Sequence, residues 1–224
     1  MNQILNTNFN SQDNDDEKEF KNKNKKIFNT QFIISILAII IFISFFFYYK
    51  HSLVQKENFS NLLINNYNIS KLYSDNTDTN NENNISDDTI IGLIKIPKLN
   101  ISYTFFSGLN DDLLKVSPCR FYGEMPNNGI NKSDNNLCIA GHNYDNEKFF
   151  SNIKKLDDND EIIISDNNNN EYIYKVFKNY EVDNNDLSPI YYKMSDEKSS
   201  ELTLVTCNNF NNKRIIIKAK NEGV

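Results

Sequence analysis

Residues 32–49 read FIISILAIIIFISFFFYY, 18 positions without a charge, with Ser35 and Ser44 as the only polar interruptions. Extended back to Ile27 the segment has 23 residues. As a helix it is long enough to cross about 30 Å of hydrocarbon while satisfying its own backbone hydrogen bonds. A secretory signal peptide is the alternative. Its apolar core would be shorter and a small-residue cleavage site would come after it, whereas Tyr48, Tyr49, Lys50 and His51 stand there in this chain. The pattern therefore predicts an uncleaved anchor. Further on, Phe59, Leu62, Leu63 and Tyr67 share one face at helical spacing. Residues 74–88 are polar and of low complexity and read as a linker.

From Thr89 the pattern changes. Short apolar runs at 90–96, 101–106, 137–140, 161–165, 171–178, 202–206 and 214–219 are separated by Asn, Asp and Gly turns. Asp166 to Asn170 reads as a hairpin turn, and Phe149, Phe150, Ile153 and Leu156 have helical spacing. Repeated short strands with no alternating helix pattern predict a mainly β fold. The expectation is a closed antiparallel β-barrel with short helices, preceded by an N-terminal transmembrane helix. The expected organisation is a disordered cytoplasmic tail over 1–26, a transmembrane helix over 27–49, a juxtamembrane helix and polar linker over 50–88, and a β-barrel domain over 89–224.

Charge supplies the orientation. Lys18, Lys21, Lys23, Lys25 and Lys26 precede the apolar run, and only Lys50 and Lys56 stand close behind it. Lysine-rich flanks stay in the cytoplasm, so residues 50–224 are expected outside the cell. The net charge of −6 argues against a nucleic-acid partner, since such domains are usually basic. Asparagine, at 41 of 224 residues, reads mostly as compositional drift filling loops. Three cysteines exclude a dense disulfide framework, and no CxxC pair points to zinc. No cofactor motif is present. Only His51 and His142 are available for histidine chemistry.

Three segments carry candidate chemistry. Cys207 ends the apolar run TLVTC where a polar turn begins, and His142 comes directly after Gly141 at the end of another run. A cysteine and a histidine are the smallest nucleophile–base unit. Arg214 opens the next run, and the six residues between it and Cys207 are within hairpin range. A guanidinium cannot act as a base, so its role would be a fixed cation and hydrogen-bond donor for an oxyanion. Spacing alone leaves the ordinary alternative open: a packed thiol, a structural histidine and a solvated arginine.

TLVTC at 203–207 with Arg214 downstream, and IAGHN at 139–143 upstream, resemble the sortases, membrane-anchored cysteine transpeptidases of Gram-positive bacteria. The opening IGLIKIPKLNISYTFF from residue 91 resembles their first strand pair, and the run after His142 resembles the helix next in their chain. The resemblance covers about 89–220 in the family's order of His, Cys and Arg. It implies that Cys207 attacks the Thr–Gly bond of an LPxTG-like sorting signal on a secreted protein. His142 would protonate the leaving amine and later deprotonate the incoming one, and Arg214 would hold the oxyanion. An amine of a cell-wall precursor or a pilin lysine would resolve the thioacyl-enzyme. No metal and no cofactor is implied. No Asp-Pro-aromatic lid triplet precedes the barrel, and 182–200 is short for a long helical insertion; the subclass stays open, class B or class D-like. The stretch 182–200 is where the family usually shapes recognition, so Leu187, Pro189, Ile190 and Tyr191, with Thr206 beside the nucleophile, are substrate-contact candidates. Loop anchoring is the competing account of the first four. Cys119 and Cys138 are read as packed thiols, with a disulfide as the alternative. Asp157, Asp158 and Asp160 read as a solvated acidic turn rather than a calcium site. Two other readings remain open: a peptidase with water as acceptor, and a catalytically silent anchored scaffold.

Overall fold

The computed structural model describes residues 4–73, 88–126, 136–194 and 199–221. The chain divides into two units, residues 1–54 and 55–224.

The first unit is helical. Helix α1 (Ile4–Tyr73) runs from it into the second unit. It contains one stretch long and apolar enough to cross a membrane, and the large hydrophobic side chains from Phe32 to Tyr49 are exposed along it. The helix takes in the tail from Ile4 onward. Of the expected linker over 74–88, residues 74–87 lie outside the described residues.

The second unit is a closed barrel of eight strands: β1 (Ile90–Ile96), β2 (Ile101–Phe106), β3 (Cys119–Tyr122), β4 (Asn136–Ala140), β5 (Glu161–Asp166), β6 (Glu171–Asp183), β7 (Ser200–Asn208) and β8 (Lys213–Asn221). Around the wall the order is β1-β2-β3-β4-β7-β8-β6-β5. Two short helices, α2 (Asp111–Leu114) and α3 (Ser188–Tyr191), lie in the connections. Closure removes the exposed strand edges that would otherwise invite aggregation. The interior is filled from alternate positions: Leu137 and Ile139 on β4, Leu202 and Leu204 on β7, Ile215, Ile217 and Ala219 on β8, all at or near zero exposure.

Three features differ from expectation. The barrel is not wholly antiparallel, because β2–β3 and β4–β7 are parallel. The β4–β7 pairing joins strands separated by the whole β5–β6 hairpin, a crossover that strand periodicity does not encode. Strand β3 has no apolar run to announce it, since CRFY mixes a charge into four residues. The helix expected after His142 is reduced to a 3-10 turn, Ile153–Lys155. Asp145 and Phe149 have positive φ (52° and 51°), which breaks a helix. Phe149, Phe150, Ile153 and Leu156 nevertheless all reach the core.

The last part of α1 belongs to this unit. Ser60 and Tyr67 are buried there. The Tyr67 hydroxyl donates to the Asp166 carbonyl at 3.0 Å, and Lys148 pairs with Glu57 at 2.5 Å.

Candidate active site

Strand register builds the site. Cys207 and Arg214 are directly opposed on antiparallel β7 and β8. On the other side of β7, parallel β4 is paired up to Ala140 opposite Val205. The chain continues in step beyond that pair. The Thr206 hydroxyl donates to the Gly141 carbonyl at 2.7 Å, and the Asn143 amide donates to the Cys207 carbonyl at 2.8 Å. His142 is thereby brought level with Cys207, and one row across the wall reads His142, Cys207, Arg214. Alternation puts Cys207 and Arg214 on the outward face, since their neighbours Thr206 and Ile215 are buried, and His142 follows buried Gly141 just beyond the end of β4. Cys207 is exposed and the other two are half-buried.

Gly141 is required by a close approach. A Cβ there would lie 2.6 Å from the Phe150 ring, and the Phe150 amide donates to the His142 carbonyl at 3.0 Å. The imidazole lies 5.0 Å from the Tyr144 ring, which stands edge-on to Phe149 at 5.3 Å, which stacks on Tyr103 at 5.0 Å. The Lys56 ammonium sits 4.7 Å from the Tyr144 ring centre, within cation–π range. Burial first, then the positive charge of Lys56, hold the His142 pKa below the ordinary histidine value; Lys115 acts in the same direction and Asp111 against it. His142 is therefore neutral over more of the pH range than a free imidazole. As pH falls through the ordinary value, the unfolded chain takes up a proton that folded His142 still refuses. Stability that is full above the ordinary value is thus lost between it and the lower folded value. Replacing Lys56 by methionine is expected to raise the His142 midpoint, read by NMR titration of its ring; an unmoved or lower midpoint would exclude Lys56 as a cause.

The turn joining Cys207 to Arg214 is held from two sides by residues not anticipated from sequence. Glu181 on β6 accepts from Lys154 at 2.5 Å, from the Asn208 amide at 2.8 Å and from the Asn211 amide at 2.9 Å. Those partners, Lys154 foremost, pull its pKa down to about 2. From the other side the Asn209 amide reaches the Asn143 carbonyl at 3.1 Å and the Asp145 carboxylate at 2.7 Å. Four of the asparagines that composition assigns to loop filling (Asn143, Asn208, Asn209 and Asn211) therefore brace the site. The available signal was their clustering beside His142 and Cys207.

The substrate-contact candidates divide. Thr206 is buried on the face opposite Cys207, where its hydroxyl ties β7 to the chain beyond β4. Pro189 and Ile190 are buried in α3. Leu187 and Tyr191 are 44% and 61% exposed, and Tyr191 stands edge-on to Tyr122 at 5.4 Å. Cys119 and Cys138 are free, buried thiols, each pushed up to about 12 by burial. Register opposes Cys119 to Ala140 and Cys138 to Tyr122, not to each other. A methanethiosulfonate reagent is expected to add once, at Cys207, by intact mass and peptide mapping. Equal labelling of Cys119 or Cys138 would contradict their burial. Among the described residues no cluster of His, Cys, Asp or Glu could hold a metal.

A family model described as the sortase domain matches residues 94–222. The chain belongs to the sortase family. Sortases are cysteine transpeptidases, and membership carries that general activity. A sortase D5 transpeptidase of Clostridium perfringens is 30% identical, with a TM-score of 0.53 over 62% of this chain and 83% of that one. Two further solved structures share the fold. Sortase C of C. perfringens, solved with the C-terminal cell wall sorting motif, is 20% identical over 77% and 89% of the two chains, with a TM-score of 0.53. Sortase A of Listeria monocytogenes is 24% identical over 61% and 89%, with a TM-score of 0.50. No curated protein matches in sequence.

Proposed function

We propose that this sortase cleaves an LPxTG-like sorting signal between Thr and Gly and transfers the protein bearing it to an amine of the cell wall. The observation that carries the reading is the row His142–Cys207–Arg214 on the outward face of the barrel, with the thiol exposed. The Cys207 sulfur attacks the threonine carbonyl and its proton passes to His142. The oxyanion forms beside the Arg214 guanidinium. Collapse breaks the Thr–Gly bond as His142 gives its proton to the departing glycine amine, leaving a thioester. An incoming amine attacks that thioester, loses a proton to His142, and releases the thiol as an amide forms. A neutral imidazole suits the base steps, and the lowered pKa of His142 favours that form.

The exposed apolar helix surface between Phe32 and Tyr49 supports a single membrane anchor. The lysines before it support a cytoplasmic N-terminus and a catalytic domain outside the cell. The 30% identity to the D5 enzyme favours the class D-like side of the subclass question.

The test uses the full chain in detergent, because α1 packs on the barrel through Tyr67. An LPxTG-type peptide is incubated with and without triglycine. Cleavage with a ligated product is expected. Cleavage that amine leaves purely hydrolytic would replace transpeptidation by a water-acceptor peptidase, and no reaction at all would sink both.

A further inference from the structure

The catalytic row is one end of a strip. On the outward face of β4, β7 and β8 the next rows read Ala140–Val205–Ile216, then Cys138–Thr203–Lys218, and Asn136 faces Glu201 beyond. Polar and charged side chains on an outer face normally meet water. Here Glu201, Thr203 and Lys218 are 0% exposed and Asn136 is 5% exposed. The connection between β6 and β7 covers them.

That connection is fastened through its backbone. The Lys218 ammonium donates to the Pro189 carbonyl at 2.5 Å and to the Tyr192 carbonyl at 3.5 Å, and pairs with the Glu201 carboxylate. The second oxygen of Glu201 accepts from the Met194 amide at 2.8 Å. The Asn136 amide donates to the carbonyls of Pro189 (3.3 Å) and Ile190 (2.9 Å) and accepts from Thr203 at 2.6 Å. Four backbone groups between Pro189 and Met194 are therefore held by three side chains of the barrel wall. A four-residue helix such as α3 has no stability of its own; these contacts impose it. A buried ion pair is rarely better for stability than apolar packing of the same volume. What it adds here is direction, because apolar side chains cannot fasten carbonyls.

The anchors stand at a defined distance from the thiol. From Glu201 to Cys207 the strand advances six residues, about 20 Å at the usual rise. That suits a bound extended segment of about five residues. Resting on the transpeptidase reading above, we infer that Lys218 and Glu201, with Asn136, are positioning residues. They hold the β6–β7 connection against the outer face of β4, β7 and β8 and so set where the N-terminal residues of a sorting signal bind relative to Cys207.

The test compares the full chain with Lys218→Met/Glu201→Met, which removes both charges together, and with Asn136→Ala, which leaves the ion pair intact. For an LPxTG-type peptide, KM is expected to rise about tenfold in the double variant, with a smaller rise in Asn136→Ala, and kcat to stay within about twofold. Discrimination against a peptide with alanine in place of the leading leucine should shrink along with it. The rate of methanethiosulfonate labelling at Cys207 reports that the catalytic end is intact. Amide hydrogen exchange at Tyr192 and Met194 should speed up in both variants. Unchanged KM and discrimination in either folded variant would overturn the inference, as would unchanged exchange in both. If the unmodified chain turns over no such peptide, the transpeptidase reading fails on that control alone, and exchange still decides the anchoring.

Discussion

Cys207→Ala is expected to abolish peptide cleavage and thioester formation, with kcat falling by about 10⁴-fold or more, as when the nucleophile of a comparable acyl-transfer site is removed. The barrel should be untouched. Cys207 is exposed at the end of β7, so removing its sulfur leaves no cavity, and thermal unfolding should coincide with that of the unmodified chain. Cys119 and Cys138 cannot substitute for it, being buried and held protonated by desolvation. The check is peptide turnover measured by chromatography, with mass spectrometry for a trapped acyl-enzyme. Turnover surviving at even a tenth of the original rate would remove Cys207 from the chemistry.

Arg214→Lys is expected to reduce kcat/KM by about 100-fold, the scale of losing one donor to a developing oxyanion. The charge is conserved, so the loss would come from geometry. Directly opposed residues on antiparallel strands hold their Cβ atoms about 5 Å apart, and Arg214 stands in that relation to Cys207. A planar guanidinium can present two fixed N–H groups beside the thiol, whereas a lysine ammonium is one mobile point charge. The loss should appear in turnover more than in peptide binding, because the oxyanion exists only in the transition state. Near-normal turnover in this variant would show that Arg214 supplies no oxyanion contact.

Seven of the eight strands were legible because each carries its own apolar run. Runs 90–96 and 101–106 coincide with β1 and β2, and the others grew by one to five residues at their ends as partner strands extended the ladders. The failures share a cause. Strand β3 and the two parallel seams depend on which distant segment lies alongside, and the helix after His142 was cancelled by two left-handed residues that periodicity cannot register. Thr206 is adjacent to Cys207 along the chain but faces the other way, since neighbours in a strand point to opposite sides.

The sequence by itself determined the apolar span and the β character of the chain beyond Thr89, and it singled out Cys207, His142 and Arg214 as candidates, because hydrophobic period and reactive groups are properties of short stretches. Only the tertiary structure decided that those three residues share a row, that Glu181 and four asparagines brace the turn between them, and that Lys218 and Glu201 lie buried beneath the β6–β7 connection. Register, burial and the pairing of charges belong to segments tens of residues apart. They come into being only when closure of the barrel brings those segments side by side.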